Sequence, residues 1–155
     1  MIYLIVAMDD DHLIGNNDSN NGLPWHNKED LQHFKETTIN QTILMGYNTY
    51  KAIGRPLPKR HTIVVNFEPF EDDRIEVRTS LEEVLEEYSR NNKDIYICGG
   101  ASIYKQSLPY VDRLLISKIP GKHTGTVYFP DFSNFKLLDT TNKETFTLEI
   151  YGRTL

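Results

Sequence analysis

The chain has 155 residues, 39% of them hydrophobic and 25% charged, with a formal net charge of −5. That is long enough for a domain with its own core and too hydrophobic for a disordered segment. No apolar run approaches the roughly 20 residues of a membrane helix, the acidic balance disfavours nucleic acid, and the single cysteine, Cys98, allows no internal disulfide and few metal clusters. One domain over residues 1–155 is expected: a cytoplasmic monomer with no metal, nucleic-acid or membrane partner.

The first element, Ile2–Met8, is short, apolar and rich in branched residues, and predicts a strand. Its acidic continuation, without basic flank or small-residue cleavage site, does not make a signal peptide. Residues 16–22, NNDSNNG, form a polar loop with an Asn-Gly turn signal, expected to be a mobile lid. The segment LPWHNKEDL, residues 23–31, leads into a helix over 30–38 carrying Leu31, Phe34 and Lys35 at helical spacing. Asn27 suits the N-cap, with Asp30 three residues on. Asp30 shares a helical face with Phe34, and Leu31 sits beside it, so its carboxylate would face an apolar cleft that raises its pKa. An acid in a first helical turn also suits the macrodipole and needs no further role. Trp25, the only tryptophan, is by composition alone a core residue.

A strand over 42–45 ends at Gly46, and Asn48 or Thr49 is the expected cap of a short helix. Gly54 to His61, GRPLPKRH, is a rigid, proline-braced loop with clustered basic residues. It is either a solvated turn or the local positive patch that an anionic ligand of this acidic protein requires. Arg60 is its best carboxylate clamp, because guanidinium and carboxylate pair in a fixed two-pronged geometry. A strand over 62–65 follows. A helix over 81–88 has Ser80 as cap with Glu83 three residues on. A strand over 95–98 runs into Gly99-Gly100 and a helix over 101–108 that stops before Pro109. The glycines let a backbone or a pyrophosphate approach, and a helix N-terminus favours anions, although two glycines fall well short of a dinucleotide fingerprint. Cys98 reads as a small buried apolar residue, not a nucleophile. A strand over 114–119 precedes a hairpin in which 135–140 pairs with the alternating run Phe146, Leu148, Ile150. Strands alternating with helices imply a mostly parallel α/β sheet with an antiparallel edge and ligands beyond the strands' carboxyl ends.

These motifs in this order resemble dihydrofolate reductases from end to end. The segments that carry the resemblance are LIVAM at 4–8, LIG at 13–15, LPW at 23–25, and Asp30-Leu31 with Phe34-Lys35. They continue with Met45-Gly46 and Thr49, IGRPLP at 53–58 with Arg60, Gly99-Gly100 with Ile103-Tyr104, and YFP at 128–130. The resemblance implies an eight-stranded, mainly parallel sheet with an antiparallel C-terminal edge and four helices. It also implies reduction of dihydrofolate by NADPH and antifolates as further ligands. Asp30 would be the single ionisable pterin-binding group and Trp25 would hold a water near it. Ile5, Val6, Leu31, Phe34, Ile53, Leu57, Cys98, Tyr104 and Ser117 would line the substrate pocket, and Arg60 would grip the glutamate tail. The cofactor would meet Ala7, Ile14, Gly15, Leu23, Gly46, Tyr47, Asn48, Thr49, Val65, Asn66 and Phe67. It would also meet Cys98, Gly99, Gly100, Ala101, Ser102, Ile103 and Tyr104.

Three departures stand out. Loop 16–22 is longer than in typical bacterial members. Gly125-Thr126 replaces a Gly-Asp pair. Tyr47 and Ser102 stand where relatives place arginine near the ribose phosphate, with Phe67 where a hydroxyl is common and Arg78 and Lys51 as other cations. Two rivals remain: a pyrimidine reductase on the same fold, expected to lack the Pro24-Trp25 to Asp30 segment and Arg60, and a silent folate- or nucleotide-binding module, expected to lack Asp30 or the Gly99-Gly100 turn.

Overall fold

The computed structural model describes residues 1–15 and 24–153. The elements follow in chain order: β1 (Ile2–Met8), β2 (Leu13–Gly15), α1 (Lys28–Thr38), β3 (Thr42–Gly46), α2 (Tyr47–Ile53), β4 (His61–Val65), β5 (Glu76–Arg78) and α3 (Leu81–Arg90). They continue with β6 (Ile95–Ile97), α4 (Ala101–Ser107), β7 (Arg113–Lys118), β8 (Val127–Tyr128), β9 (Phe135–Asn142) and β10 (Thr147–Arg153). The strands expected from apolar runs all form, with ends moved by no more than one residue. Their continuous apolarity has the expected cause. Ile2, Leu4, Ile43, Leu44, Ile63, Ile95, Ile97, Leu114 and Ile116 are fully buried, because layers cover both faces of the sheet. Each such side chain contributes roughly 1.5–3 kcal/mol by leaving water.

The main sheet has eight strands in the order β5-β4-β3-β6-β1-β7-β10-β9. From β5 to β7 the strands are parallel, and β10 runs antiparallel to both β7 and β9. The chain leaves β1, builds outward from β3 to β5, then returns to insert β6 between β3 and β1. That reversal opens a crevice beyond the carboxyl ends of β1, β3 and β6. A separate antiparallel ribbon joins β2 to β8.

Local chemistry sets the helix ends. Asn27 caps α1 by accepting the Asp30 N–H at 2.9 Å, and Ser80 caps α3 by accepting the Glu83 N–H at 3.2 Å. Several helix details differ from the sequence reading: α1 begins at Lys28 rather than Asp30, and α3 runs on to Arg90. α2 begins at Tyr47 with Gly46 as its cap residue, so Asn48 and Thr49 lie inside the helix and cap nothing. α4 ends at Ser107 rather than Leu108, because Pro109 tightens the chain into a 3-10 turn over Leu108–Tyr110.

Candidate active site

The acid sits where α1 meets the sheet. Ser117 of β7, itself 2% exposed, pairs in register with Ala7 of β1, and its hydroxyl hydrogen-bonds the Asp30 carboxyl. Burial raises the Asp30 pKa, and the Ser117 bond and His33 only partly offset it. Glu29 beside it turns away: its carboxylate accepts the Thr145 N–H at 2.7 Å and the Thr145 hydroxyl at 2.6 Å, tying the start of α1 to the β9–β10 turn. His33 lies one turn further along α1. Its Nδ1 stands 3.4 Å from the Thr37 hydroxyl, while Nε2 is buried without a protein partner. Burial pushes the His33 pKa down, against the pull of Asp30.

The floor comes from β1 and α4. Tyr104 donates its hydroxyl proton to the Ile5 carbonyl at 2.8 Å. Burial raises the Tyr104 pKa well above the usual phenol range, and the nearby Cys98 and Asp30 raise it further. Cys98 is half-buried at the end of β6, its Sγ 3.4 Å from the Tyr96 carbonyl, and burial pushes its thiol up to about 12. A thiol so rarely ionised is no nucleophile. Ile5 and Val6 are buried beneath, whereas Leu31 and Ile53, 49% and 39% exposed, stay open to solvent as cleft walls do. Phe34 and Leu57 are half-buried.

The two glycine-ended strands meet side by side. The Gly46 N–H donates to the Gly99 carbonyl at 2.9 Å. A Cβ at Gly46 would stand 3.0 Å from Ile103 Cγ1, and Gly99 has φ +117, a conformation side chains disfavour. α2 and α4 therefore start next to each other, and neither N-terminus has a side-chain cap, an arrangement that favours an anion. Gly100 and Thr49 adjoin there, since a Cβ on Gly100 would meet Thr49 Oγ1 at 3.4 Å. Ala7 and Ala101 are half-buried, and Ile14 and Val65 are 9% exposed; Ser102 accepts the Gln106 amide N–H at 2.8 Å.

Beyond β4 the pattern changes. Asn66 donates to the Glu68 carbonyl at 2.9 Å, and Phe67 is 91% exposed. Tyr47 packs on Phe70, ring centroids 4.8 Å apart, with Lys51 Nζ 4.8 Å above its ring. Arg78 is held by Glu76 and Glu87, each at 3.1 Å. Leu23 and the expected lid over 16–22 lie outside the described residues.

The basic cluster expected in the 54–61 loop is split. His61 turns to Glu76 on β5 at 2.9 Å, while Arg60 folds back onto α1. Arg60 donates to Thr38 Oγ1 at 3.1 Å, to the Pro58 carbonyl at 2.8 Å and to the Lys35 carbonyl at 3.4 Å. All three acceptors are neutral, and among the described residues no carboxylate pairs with it. Trp25 is half-buried rather than in the core, edge-on to His123 with centroids 5.2 Å apart. His33, Thr38 and His123 escaped the sequence reading. Only His33 left a signal, its three-residue spacing from Asp30.

Among the described residues no group of His, Cys, Asp and Glu could hold a metal, and no helix is long and apolar enough to cross a membrane. A cleft of about 500 Å³ between the end of α4 and the start of β9 shares no residue with the site above.

Residues 1–151 match the dihydrofolate reductase family model. The chain is 42% identical to the dihydrofolate reductase of Bacillus subtilis (strain 168), over 90% of this chain and 83% of that protein. It is 37% identical to the dihydrofolate reductase of Mycoplasma pneumoniae (strain ATCC 29342 / M129 / Subtype 1), over 99% and 98%. It is similar in structure to the dihydrofolate reductase from Enterococcus faecalis complexed with NADP(H) and RAB-propyl. The TM-score there is 0.86, with 31% identity and coverage of 99% and 96%.

Proposed function

Because the chain belongs to the dihydrofolate reductase family, we infer that it reduces 7,8-dihydrofolate to 5,6,7,8-tetrahydrofolate with NADPH and that Asp30 is the group on which the chemistry turns. The observation that carries this reading is a half-buried carboxyl, hydrogen-bonded by Ser117 and next to the exposed apolar side chain of Leu31, near the crevice where two glycine-ended strands meet. Asp30 accepts hydrogen bonds from the pterin's 2-amino group and N3, which fixes the ring. Its negative charge in a poorly solvated place favours a proton at N5. Ile5, Val6, Leu31, Phe34, Ile53 and Leu57 exclude water around the rings, and Arg60 takes the glutamate carboxylate. The backbone around Gly46, Gly99 and Gly100, with Thr49, Ala101 and Ile103, holds the diphosphate. Ala7 and Ile14 lie toward the pterin, and Tyr47, Val65, Asn66 and Phe67 toward the adenosine. When bound, NADPH supplies the hydride that arrives at C6. The enzyme works by positioning and electrostatics, not by covalent attack.

The same proposal covers the organisation: one catalytic domain, monomeric and cytoplasmic, with folates and antifolates as its small-molecule ligands. Its support is the lone Cys98 and the net charge of −5. The test is loss of nicotinamide absorbance when dihydrofolate and NADPH are added together. No loss, or equal loss with a pyrimidine substrate, overturns the reading.

A further inference from the structure

We propose that His123 is a positioning residue for Trp25, locked in place by the buried carboxylate of Asp9. The inference rests on the reading that Trp25 belongs to the active site, but its geometry stands apart from that reading.

Asp9 follows β1 directly and is fully buried. Its Oδ1 accepts the Asp11 and Leu13 N–H groups at 2.8 and 3.0 Å, and its Oδ2 accepts the His123 N–H at 2.8 Å. That Oδ2 also lies 3.5 Å from His123 Nδ1, an atom buried without a hydrogen bond. One carboxylate thus holds the backbone of His123 and lies against its ring. That ring meets the Trp25 indole at 61°, with centroids 5.2 Å apart. Three segments converge on one imidazole: the end of β1 two residues past Ala7, the strand-to-strand connection six residues past Ser117, and the stretch that enters α1 through Asn27. Those are the segments that place Ala7, Ser117 and Asp30. Among the described residues, the ring that Trp25 meets is that of His123.

Besides Asp9, the charged groups near His123 are Asp10, which accepts the Gly121 N–H at 3.0 Å, and Lys122, paired with Asp11 at 4.0 Å. His26 follows Trp25 in the chain and is the control.

Trp25 is the only tryptophan, so its emission reports this contact in ligand-free protein. That emission should change in His123→Ala and stay near the wild type in His26→Gln and in His123→Phe, which keeps a ring beside the indole. His123→Phe keeps an aromatic edge and should keep hydride transfer near the wild-type rate. His123→Ala should slow it by about tenfold, the scale of a small misplacement, with little change in dihydrofolate KM. Trp25 emission unaltered in His123→Ala, or a His123→Ala enzyme with unaltered hydride transfer, overturns the proposal. The emission result does not depend on whether the wild type accepts dihydrofolate, which the absorbance assay decides separately and on which the hydride-transfer comparison rests; circular dichroism confirms that each variant is folded.

Discussion

In the role proposed for it, Asp30 must be desolvated enough to act strongly on a bound ring and still be charged at neutral pH. The structure shows what that costs the fold. Burial raises its pKa, so the folded protein holds that proton more tightly than the unfolded chain. The sign follows. The penalty is absent below the unfolded value of about 3.9, grows as pH rises toward the folded value, and is fully present above it. Asp30→Asn should therefore raise the melting temperature at pH 7, and the gain should disappear on acidification below about pH 4. The same variant should lose hydride transfer by orders of magnitude at pH 7 and recover part of it at low pH, where the substrate arrives protonated. A variant with near-normal activity at pH 7, or one less stable than wild type there, removes Asp30 from its role. Arg60 is the converse case, a cation spent on neutral acceptors. The Thr38 hydroxyl and two carbonyls orient its guanidinium and leave its charge unmatched by protein. Arg60→Ala should weaken dihydrofolate binding by roughly 1.5–3 kcal/mol, about 10- to 150-fold, and barely touch a pterin lacking the glutamate. Titration calorimetry with both ligands checks this; equal losses count against a tail clamp.

At the scale of elements, legibility tracks how local the determinant is. β1, β3, β4, β6 and β7 were readable because burial on both faces writes a continuous apolar run. α1 and α3 were readable because Asn27 and Ser80 act within three residues of themselves. β2, β5 and β8 have two or three residues each and exist only through partners, so no pattern marks them. The site divides in the same way. Asp30 shows in helical spacing, whereas the anchor of Arg60 is 22 residues away and the contact of Asp9 with His123 spans 114. Partners also decide the cofactor question. Composition offered Arg78 and Lys51 as cations for the adenosine end. The sheet gives Arg78 to Glu76 and Glu87, while Lys51 lies on Tyr47 one turn along α2. On the proposed reading, a 2′-phosphate carrying about −1.5 to −2 charges would meet one exposed ammonium rather than paired arginines. NADPH should remain the working cofactor, since no acid stands at Gly46 to Thr49 to select NADH. Its advantage in kcat/KM should be small, shrink at high ionic strength because exposed charges are screened, and shrink further in Lys51→Ala. A large advantage that salt does not alter points to a different cation.

The molecule as a whole depends on acids placed oppositely to Asp30. Asp9 is the deepest. Burial is the largest single influence and pushes its pKa up, but the N–H groups of His123, Leu13 and Asp11 and the His123 ring together hold it below the ordinary value. A lowered carboxylate contributes stability that is fully present above the unfolded value of about 3.9 and is lost as pH falls through the folded value. The chain it stabilises is long: one side chain fastens the exit of β1, the start of the β2–β8 ribbon and the connection leaving β7. Asn at this position is nearly isosteric and exposes the electrostatics alone. Its amide oxygen can replace Oδ1 toward Asp11 and Leu13. Its NH₂ would then point at the His123 N–H, donor against donor, in a place water does not reach. Leaving a buried donor unsatisfied costs about 1–3 kcal/mol, more where the lost acceptor was charged. Asp9→Asn should therefore lower the melting temperature clearly at pH 7. The gap to wild type should narrow as pH falls below 4, because wild-type Asp9 itself gains a proton and loses its acceptor advantage. Melting curves of both proteins from pH 3 to 8 give the comparison. A gap that stays constant across that range would mean that Asp9 acts through shape alone.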